Sequence, residues 1–386
     1  MTAPKPVRIL MVNENIGGHA TVHHHLGEVA ARRDDIRVRI VDVPSPGFLR
    51  KVAAVAIPGL GRIDADLRPV RYQLAQSAWT TRQLPGWIAG DGEGPFDVVH
   101  FYTHNVALLS RRAVGALPYV VTIDSTNAQS NLMHPAREPT RFSTLSTTAV
   151  RPFERAAYAR AQMVVANSAW SADSLMTDYG VAPERIRIVP MGVPVPPLAT
   201  SARSPQTLPR VIFIGRTMER KGGNELLRVH REWLADRCEL VVVTQDDVPP
   251  SRNLTVINDA RPGDGRINAL LATCDLMVLP SRLDQWPNAV MEAMSYAVPA
   301  VVSNVGGLPE MVRHGAAGVI LADHSPETLR DTIAGLLADP HRRSTLGHNA
   351  RLQVEQRLNV QTTANRLFDI IRAAASNRPE LVAKCR

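Results

Sequence analysis

Short apolar runs alternate with longer helical patterns twice along the chain, and this double alternation restricts the fold more than any other feature. Near-continuous apolar strands are typical of parallel sheets covered on both faces, and successive parallel strands need right-handed crossover helices. In the first half, strands are predicted at residues 7–12, 38–43, 98–101, 119–123, 163–166 and 186–189. Helices are predicted there at residues 22–33, 70–84, 106–116, 152–161 and 169–179.

A proline-rich stretch separates the two halves and predicts a linker, since six prolines lie between positions 190 and 209. In the second half, strands are predicted at residues 211–214, 240–243, 254–257, 276–279, 300–303 and 319–321. The helices between them are predicted at residues 224–234, 266–272, 289–296, 308–312, 326–338 and 342–356.

The fold class predicted from this pattern is α/β, with two Rossmann-like, doubly wound parallel-sheet domains that face a cleft. A chain of 386 residues is long enough for two such domains. We expect an N-terminal domain at residues 1–195, a second domain at residues 196–360, and a C-terminal helix within residues 361–386 that can cross back to the first. Ligands of such sheets bind beyond the carboxyl ends of the strands.

Composition narrows the class of protein further. Three separate cysteines and no apolar run of about 18 residues argue against a disulfide framework, a zinc site or a membrane span. The net charge of +8 favours anionic partners such as nucleotides, phospholipid surfaces or nucleic acid. Nucleic acid is disfavoured, because aromatic residues make up only 5% and do not interleave with basic ones.

The location of the protein is predicted from two segments. The N-terminus lacks the apolar core of a signal peptide, so we expect a cytoplasmic protein. Residues 48–60 are apolar with two basic side chains. We interpret them as a helix covering the sheet. The alternative is an element that binds acceptor or touches the inner face of a membrane.

The most informative motif runs from Pro280 to Glu310. A buried strand is expected to end at residue 279, and a helix to begin near Asn288, which is a good N-cap residue with free backbone amides after it. Two acids, Asp284 in the loop and Glu292 in the helix, can converge on one pocket. Such carboxylates suit the hydroxyls of a ribose and a hexose, because an ionised carboxylate only accepts hydrogen bonds.

A second motif, Gly215-Arg216 followed by Lys221, comes after the first strand of the second half. The glycine permits close backbone approach, and the two cations lie where they can hold a diphosphate. Each charge-assisted bond contributes about 1.5–3 kcal/mol. The alternative is a solvated turn.

The first half offers further candidates at the ends of its strands. Gly17 and Gly18 follow the first strand and can bring backbone amides close to a phosphate or acceptor. Asp124 and His104 follow two later strands and are predicted to belong to the site. For His104 the alternative is a structural role, which is common for a lone histidine at a strand end. His23, His24 and His25 are not expected to bind a metal, because successive helix residues point in different directions.

These motifs together resemble the retaining glycosyltransferases of family 4, which have the GT-B fold. The resemblance implies that Asp284 contacts the donor hexose, in place of the family's glutamate, and that Glu292 binds the ribose. It also implies that Arg216 and Lys221 hold the donor diphosphate, with Gly17, Gly18, Gly215, Asn288, Ala289 and Val290 completing the donor site. Asp124 stands where many members have a histidine that touches the sugar, and His104 can supply that imidazole.

The function expected from the resemblance is retaining transfer of a hexose from a nucleotide-diphosphate sugar to an acceptor hydroxyl of a glycan, lipid or small molecule. No metal and no cofactor are expected. Two alternatives stay open. One is a nucleotide-sugar-binding protein impaired by Asp284 and Asp124, and the other is an epimerase of the same two-domain shape.

Overall fold

The computed structural model describes residues 5–14, 18–44, 52–63, 65–90, 92–132, 141–198, 208–260 and 265–376. The chain forms two compact units, one of residues 1–191 with residues 361–386, and one of residues 192–360. Each unit contains one six-stranded parallel sheet with helices between its strands. The predicted α/β class with two doubly wound sheets is therefore confirmed.

In the first unit the strands lie in the order β2-β1-β3-β4-β5-β6. The central strands of this sheet are buried along their whole length, as at Phe101 and Val121, because both faces of a parallel sheet are covered. The strands are β1 (Val7–Glu14), β2 (Ile36–Val43), β3 (Val98–Tyr102), β4 (Tyr119–Ile123), β5 (Met163–Ala166) and β6 (Ile186–Ile188). The helices are α1 (His19–Ala30), α2 (Arg68–Ile88), α3 (Asn127–Leu132), α4 (Arg141–Arg160) and α5 (Ala169–Thr177).

In the second unit the strands lie in the order β12-β11-β10-β7-β8-β9. They are β7 (Arg210–Ile214), β8 (Glu239–Val243), β9 (Leu254–Ile257), β10 (Leu276–Leu279), β11 (Ala300–Val302) and β12 (Gly318–Ile320). The helices are α6 (Met218–Lys221), α7 (Gly223–Val229), α8 (Gly265–Leu271), α9 (Asn288–Ser295), α10 (Leu308–Val312), α11 (Pro326–Ala338) and α12 (Pro340–Gln353). The last helix, α13 (Val360–Ala375), belongs almost entirely to the first unit.

All the predicted strands are present, but two predicted helices differ from the structure. The segment predicted as a helix covering the sheet, residues 48–60, is helical only at residues 52–54 within its described part, and Val52 and Val55 are exposed. Residues 106–116 form a short 3-10 turn at His104–Val106 followed by further turns, with Gly115 at a φ of +65°. The Ser110 hydroxyl donates to the carbonyl oxygen of Val106 at 2.9 Å, and such side-chain bonds compete with helix formation. The apolar spacing of this segment instead reflects burial, as at Val106 and Val114.

Within the described residues, no helix is both long enough and apolar enough to cross a membrane.

Candidate active site

The second unit has its topological switch point between β7 and β10. From β7 the chain continues to β8 on one side, whereas β10 pairs with β7 on the other side. In such folds, ligands bind at the carboxyl edge of the sheet, beside the loops that follow the two strands at the switch point. These loops carry Gly215–Lys221 and Pro280–Pro287, the two predicted motifs.

A buried ion pair joins the two loops. The Lys221 ammonium contacts Asp284 Oδ2, and the Ser281 hydroxyl donates to the same oxygen at 3.0 Å. Burial lowers the pKa of Lys221, and the negative charge of Asp284 opposes that shift. The other carboxylate oxygen of Asp284 has no partner among the described residues, so it remains available to a ligand.

Two glycines hold the Asp284 loop in place. Gly222 has a φ of +72°, and a Cβ there would lie 2.1 Å from the carbonyl oxygen of Pro280. Gly306 has a φ of +54°, and a Cβ there would lie 1.8 Å from the carbonyl oxygen of Asp284. Only glycine combines this backbone conformation with such close approach. The double glycine before α10 therefore packs directly against the backbone of Asp284.

Glu292 lies in α9 and is the second predicted acid. Burial raises the pKa of its carboxyl group. Within the described chain its carboxylate has neither a hydrogen bond nor an ion pair. The acid is thus held in a desolvated setting with its acceptor atoms unused.

Gly215 and Arg216 directly follow β7 at the same carboxyl edge of the sheet. Arg216 is exposed, and its Nε donates to Gln245 Oε1 at 2.8 Å. Gly215 lets the Lys221 stem pass, since a Cβ there would lie 3.0 Å from Lys221 Cγ and 2.8 Å from the ring of Phe213. Gln245 was not predicted from the sequence, since it follows a different strand, β8.

The start of α9 differs from the prediction in one respect. The N-cap is Pro287, and Asn288 is the first helical residue, so Asn288 does not cap the helix with its side chain. The amide of Val290 donates to the Pro287 carbonyl oxygen at 3.2 Å, and its side chain is fully buried. Val290 therefore serves the packing of the helix, whereas Asn288 and Ala289 are partly exposed.

In the first unit, Asp124 follows β4 and contacts His19, a residue that sequence reasoning did not select. The distance from His19 Nε2 to Asp124 Oδ2 is 3.3 Å. Burial favours neutral forms of both groups, yet their mutual attraction raises the pKa of His19 and lowers that of Asp124. The signal in the sequence was the position of His19, directly after the double glycine.

His104 lies just after the end of β3 and does not contact Asp124 through a hydrogen bond among the described residues. Its Nε2 is 3.5 Å from Glu154 Oε1 and 3.2 Å from Asn127 Nδ2. Glu154 is completely buried and also receives bonds from the hydroxyls of Tyr158 and Tyr179. The imidazole in contact with Asp124 is therefore that of His19, and His104 faces a buried carboxylate.

The remaining candidates are placed as follows. Gly18 caps α1, whereas Gly17 lies outside the described residues. His24 and His25 contact Glu28, and His23 packs edge-on against Tyr102. In the part of the chain that the structure describes, no cluster of metal-ligating side chains is present.

Models of known protein families match most of the chain. Residues 16–195 match the model of Glycosyltransferase Family 4, and residues 199–353 match that of Glycosyl transferases group 1. A D-inositol 3-phosphate glycosyltransferase of Catenulispora acidiphila is 28% identical over 312 residues, which cover 73% of each chain. One of Rhodococcus jostii is 25% identical over 369 residues, covering 87% of this chain and 78% of the relative.

Two solved structures show the same fold. A sucrose-phosphate synthase of Thermosynechococcus elongatus has a TM-score of 0.71 at 18% identity, covering 96% of this chain and 100% of that one. Anabaena HepE, solved with UDP and glucose, has a TM-score of 0.64 at 16% identity, covering 95% and 100%. With both units matched by family models and both sheets matched in structure, the chain belongs to the family 4 glycosyltransferases and is an enzyme of the GT-B fold.

Proposed function

We propose that this glycosyltransferase moves a hexose from a nucleoside-diphosphate sugar to an acceptor hydroxyl, with retention of anomeric configuration and without a metal ion. The observation that carries the proposal is the Lys221–Asp284 pair at the switch point of the second unit, with the unpaired Glu292 in the following helix. A cation, a partly free carboxylate and a second free carboxylate match a diphosphate, a hexose and a ribose.

The donor site follows from these contacts. Arg216 and Lys221 are the cations that follow β7 at the carboxyl edge of the second sheet, and they would bind the diphosphate. Glu292 would accept bonds from the ribose hydroxyls, and the free oxygen of Asp284 would accept one from the hexose. UDP is the first nucleotide to test, because Anabaena HepE was solved with UDP and glucose.

The chemistry asks little of the protein beyond position and charge. The acceptor oxygen would form its bond to the anomeric carbon on the face from which the nucleotide leaves. The bond from that carbon to the phosphate oxygen breaks, and the acceptor proton passes to the departing phosphate. Lys221 and Arg216 would stabilise the charge that develops on the diphosphate, so catalysis is positioning and electrostatic stabilisation.

The first test removes one cation. We expect Lys221→Ala to lower kcat/KM for the donor about tenfold to a hundredfold, because a charge-assisted bond is lost. Arg228→Ala is the matched control, since Arg228 is an exposed cation on α7 and should leave turnover unchanged. Near-normal turnover in a folded Lys221→Ala protein would contradict the proposal.

Stereochemistry is tested on the product. The anomeric proton of the transferred hexose should show the same coupling class in NMR spectra as that of the donor, whereas inversion would exclude the retaining mechanism. Donor binding without transfer or hydrolysis would favour the impaired binding protein. Epimerised nucleotide sugar without an acceptor would favour the epimerase.

The acceptor is proposed to be a small polyhydroxylated compound. Relatives across 73% or more of this chain are named D-inositol 3-phosphate glycosyltransferases, so that compound and its dephosphorylated form are the first acceptors to assay.

Peripheral contact with a lipid surface is proposed on one observation. Several large apolar side chains between residues 52 and 63 are exposed, among them Val55 at 61% and Leu60 at 45%. The first residues of the predicted segment, 48–51, lie outside the described residues. We expect wild-type protein to float with anionic phospholipid vesicles and the double variant Val55→Asp, Leu60→Asp to stay behind. Equal flotation of both, or none, would contradict the contact.

A further inference from the structure

The first unit contains a carboxylate that the proposed mechanism leaves unused. Glu14 is the last residue of β1, and its side chain is 1% exposed. Its Oε2 accepts hydrogen bonds from the Thr103 hydroxyl at 2.6 Å and from Asn105 Nδ2 at 2.9 Å. Its Oε1 has no hydrogen-bond partner within the described chain. A buried acceptor atom left unpaired costs free energy, and in native proteins such atoms need an explanation.

The neighbouring amide shows the same pattern. Asn105 donates to Glu14, yet its Oδ1 is also buried and without a partner among the described residues. Asn105 is only partly buried as a residue, and its Nδ2 connects it directly to Glu14. Two buried acceptor oxygens left unpaired on hydrogen-bonded neighbours indicate a place for groups that donate hydrogen bonds.

The position of this pair in the sheet is that of a ligand site. β1 lies between β2 and β3, so the switch point of the first sheet falls between β1 and β3. Glu14 ends β1, and Thr103 directly follows β3. β4, which ends before Asp124, lies beside β3. Glu14, Asn105 and the His19–Asp124 pair thus share one edge of one sheet.

The charges around Glu14 disfavour an anionic occupant. Its hydrogen-bond partners, Thr103 and Asn105, are neutral, and its negative charge helps to raise the pKa of His19. A phosphate oxygen beside Oε1 would meet a carboxylate and an amide oxygen, and both would repel it. A hydroxyl or ammonium group would satisfy both oxygens.

We propose that Glu14 Oε1 and Asn105 Oδ1 form an acceptor subsite that binds a hydrogen-bond donor of the acceptor, a hydroxyl or an ammonium group, and keeps phosphate away from this position. The subsite rests on the proposed function, because it assigns the sugar acceptor to this edge of the first unit. If the acceptor carries a phosphate, that group binds elsewhere. Glu14 would then set which hydrogen-bond donor of a polyol binds at this edge of the first unit.

The test measures binding directly, so that it does not depend on transfer. Affinities of myo-inositol, glucose and glucosamine are determined by ligand-observed NMR for the full-length wild type, Glu14→Gln, and the control Glu28→Gln. Glu28 is an exposed acid on α1 of the same unit. Glu14→Gln keeps the side-chain shape and an oxygen for Thr103 and Asn105, but can place an NH2 group where Oε1 lies.

We expect Glu14→Gln to weaken binding of at least one probe about tenfold or more, and Glu28→Gln to leave it unchanged. Loss confined to glucosamine assigns the partner as an ammonium group, and equal loss for glucose and myo-inositol assigns a hydroxyl. Asn105→Ala, which leaves Glu14 in place, should weaken the same probe by a smaller factor. This second variant keeps the test informative if Glu14→Gln does not fold.

Equal binding to wild type and Glu14→Gln, or no binding of any probe to wild type, would overturn the subsite. UDP binding and sugar transfer are measured separately on the same proteins. Normal UDP binding and transfer with unchanged probe affinity would reject the subsite alone. Absent UDP binding with Glu14-dependent probe affinity would reject only the proposed donor chemistry.

Discussion

Asp284 lies in the loop after β10 and Glu292 in α9, the helix that follows this loop, and the two acids have different electrostatic settings. Asp284 shares one oxygen with Lys221 and Ser281, which keeps a buried negative charge compensated. Glu292 has no such partner in the described chain, and burial alone raises the pKa of its carboxyl group. Glu292 is therefore the acid whose protonation we expect to see in the pH dependence of donor binding.

We predict that the KM for the donor rises as pH falls through the raised pKa of Glu292. Only the ionised carboxylate offers both oxygens to the ribose hydroxyls, so protonation weakens donor binding. Glu292→Gln is neutral throughout and should give a high KM with this acid-side rise removed. Donor KM measured from about pH 8 down to about pH 5 checks this. The same acid-side rise in wild type and Glu292→Gln would assign the titration to another group.

Which single residues could be foreseen from the sequence depended on their distance along the chain. Asp284 and Glu292 are eight positions apart, so local spacing was enough to predict one in the loop after a strand and the other in the helix that follows it. The contact of His19 with Asp124 spans 105 positions, and the Lys221–Asp284 pair spans 63. Such pairings follow from strand order, which a single sequence does not specify.

At the scale of elements, the loop after β10 takes its shape from the turn before α10. Gly306 lies against the Asp284 carbonyl oxygen, and the Gly307 amide donates to the Gln285 carbonyl oxygen at 2.8 Å. The sequence predicted the double glycine as part of the motif. It did not show that these glycines contact the backbone of the Asp284 loop, because that contact joins two loops that are distant in the sequence.

We predict that Gly306→Ala impairs the enzyme through Asp284. The new Cβ would meet the Asp284 carbonyl oxygen, and alanine is strained at a φ of +54°. The loop must shift, which should raise the donor KM and lower the free energy of unfolding by about 1–3 kcal/mol. Gly335→Ala, on the open face of α11, is the control and should be neutral or stabilising. Unchanged kinetics in Gly306→Ala would show that the loop is not held there.

Elements were predicted best where one pattern dominates. The predicted bounds of buried strands such as β4 and β10 match the structure residue by residue. A short, continuous apolar run between two helices indicates a buried parallel strand. The failures lie where side chains bond to nearby backbone, as in residues 106–116, and around Pro152. The helix predicted at residues 152–161 begins at that proline. In the structure it lies inside α4, which begins at Arg141.

At the scale of the whole molecule, the first unit is completed by the end of the chain. α13 buries Leu367, Phe368 and Ile371 within a unit otherwise made of residues 1–191. Arg33 fixes the helix by donating to Asp369 Oδ1 at 2.7 Å and to the Asn365 carbonyl oxygen at 3.2 Å. The first unit therefore depends on residues that are translated after the second unit.

We predict that a chain ending at residue 360 keeps a folded second unit but loses stability in the first. Each large apolar side chain of α13 contributes up to about 1.5–3 kcal/mol when buried. Removing the whole helix therefore costs more than the free energy of unfolding of many domains. Calorimetry should show the transition of the first unit moved to lower temperature, while UDP still stabilises the second. A chain ending at residue 376 is the control, since it keeps the whole of α13.

Phe368→Ala gives the same result in graded form, since this ring is fully buried and its loss should cost about 3–5 kcal/mol. If the chain ending at residue 360 melted like the control, α13 would be dispensable and the first unit would be complete within residues 1–191. If UDP stabilisation were lost as well, the two units would unfold as one, and the second would depend on the helix too. A shift confined to the first transition is the outcome that the contacts of Arg33 and Phe368 require.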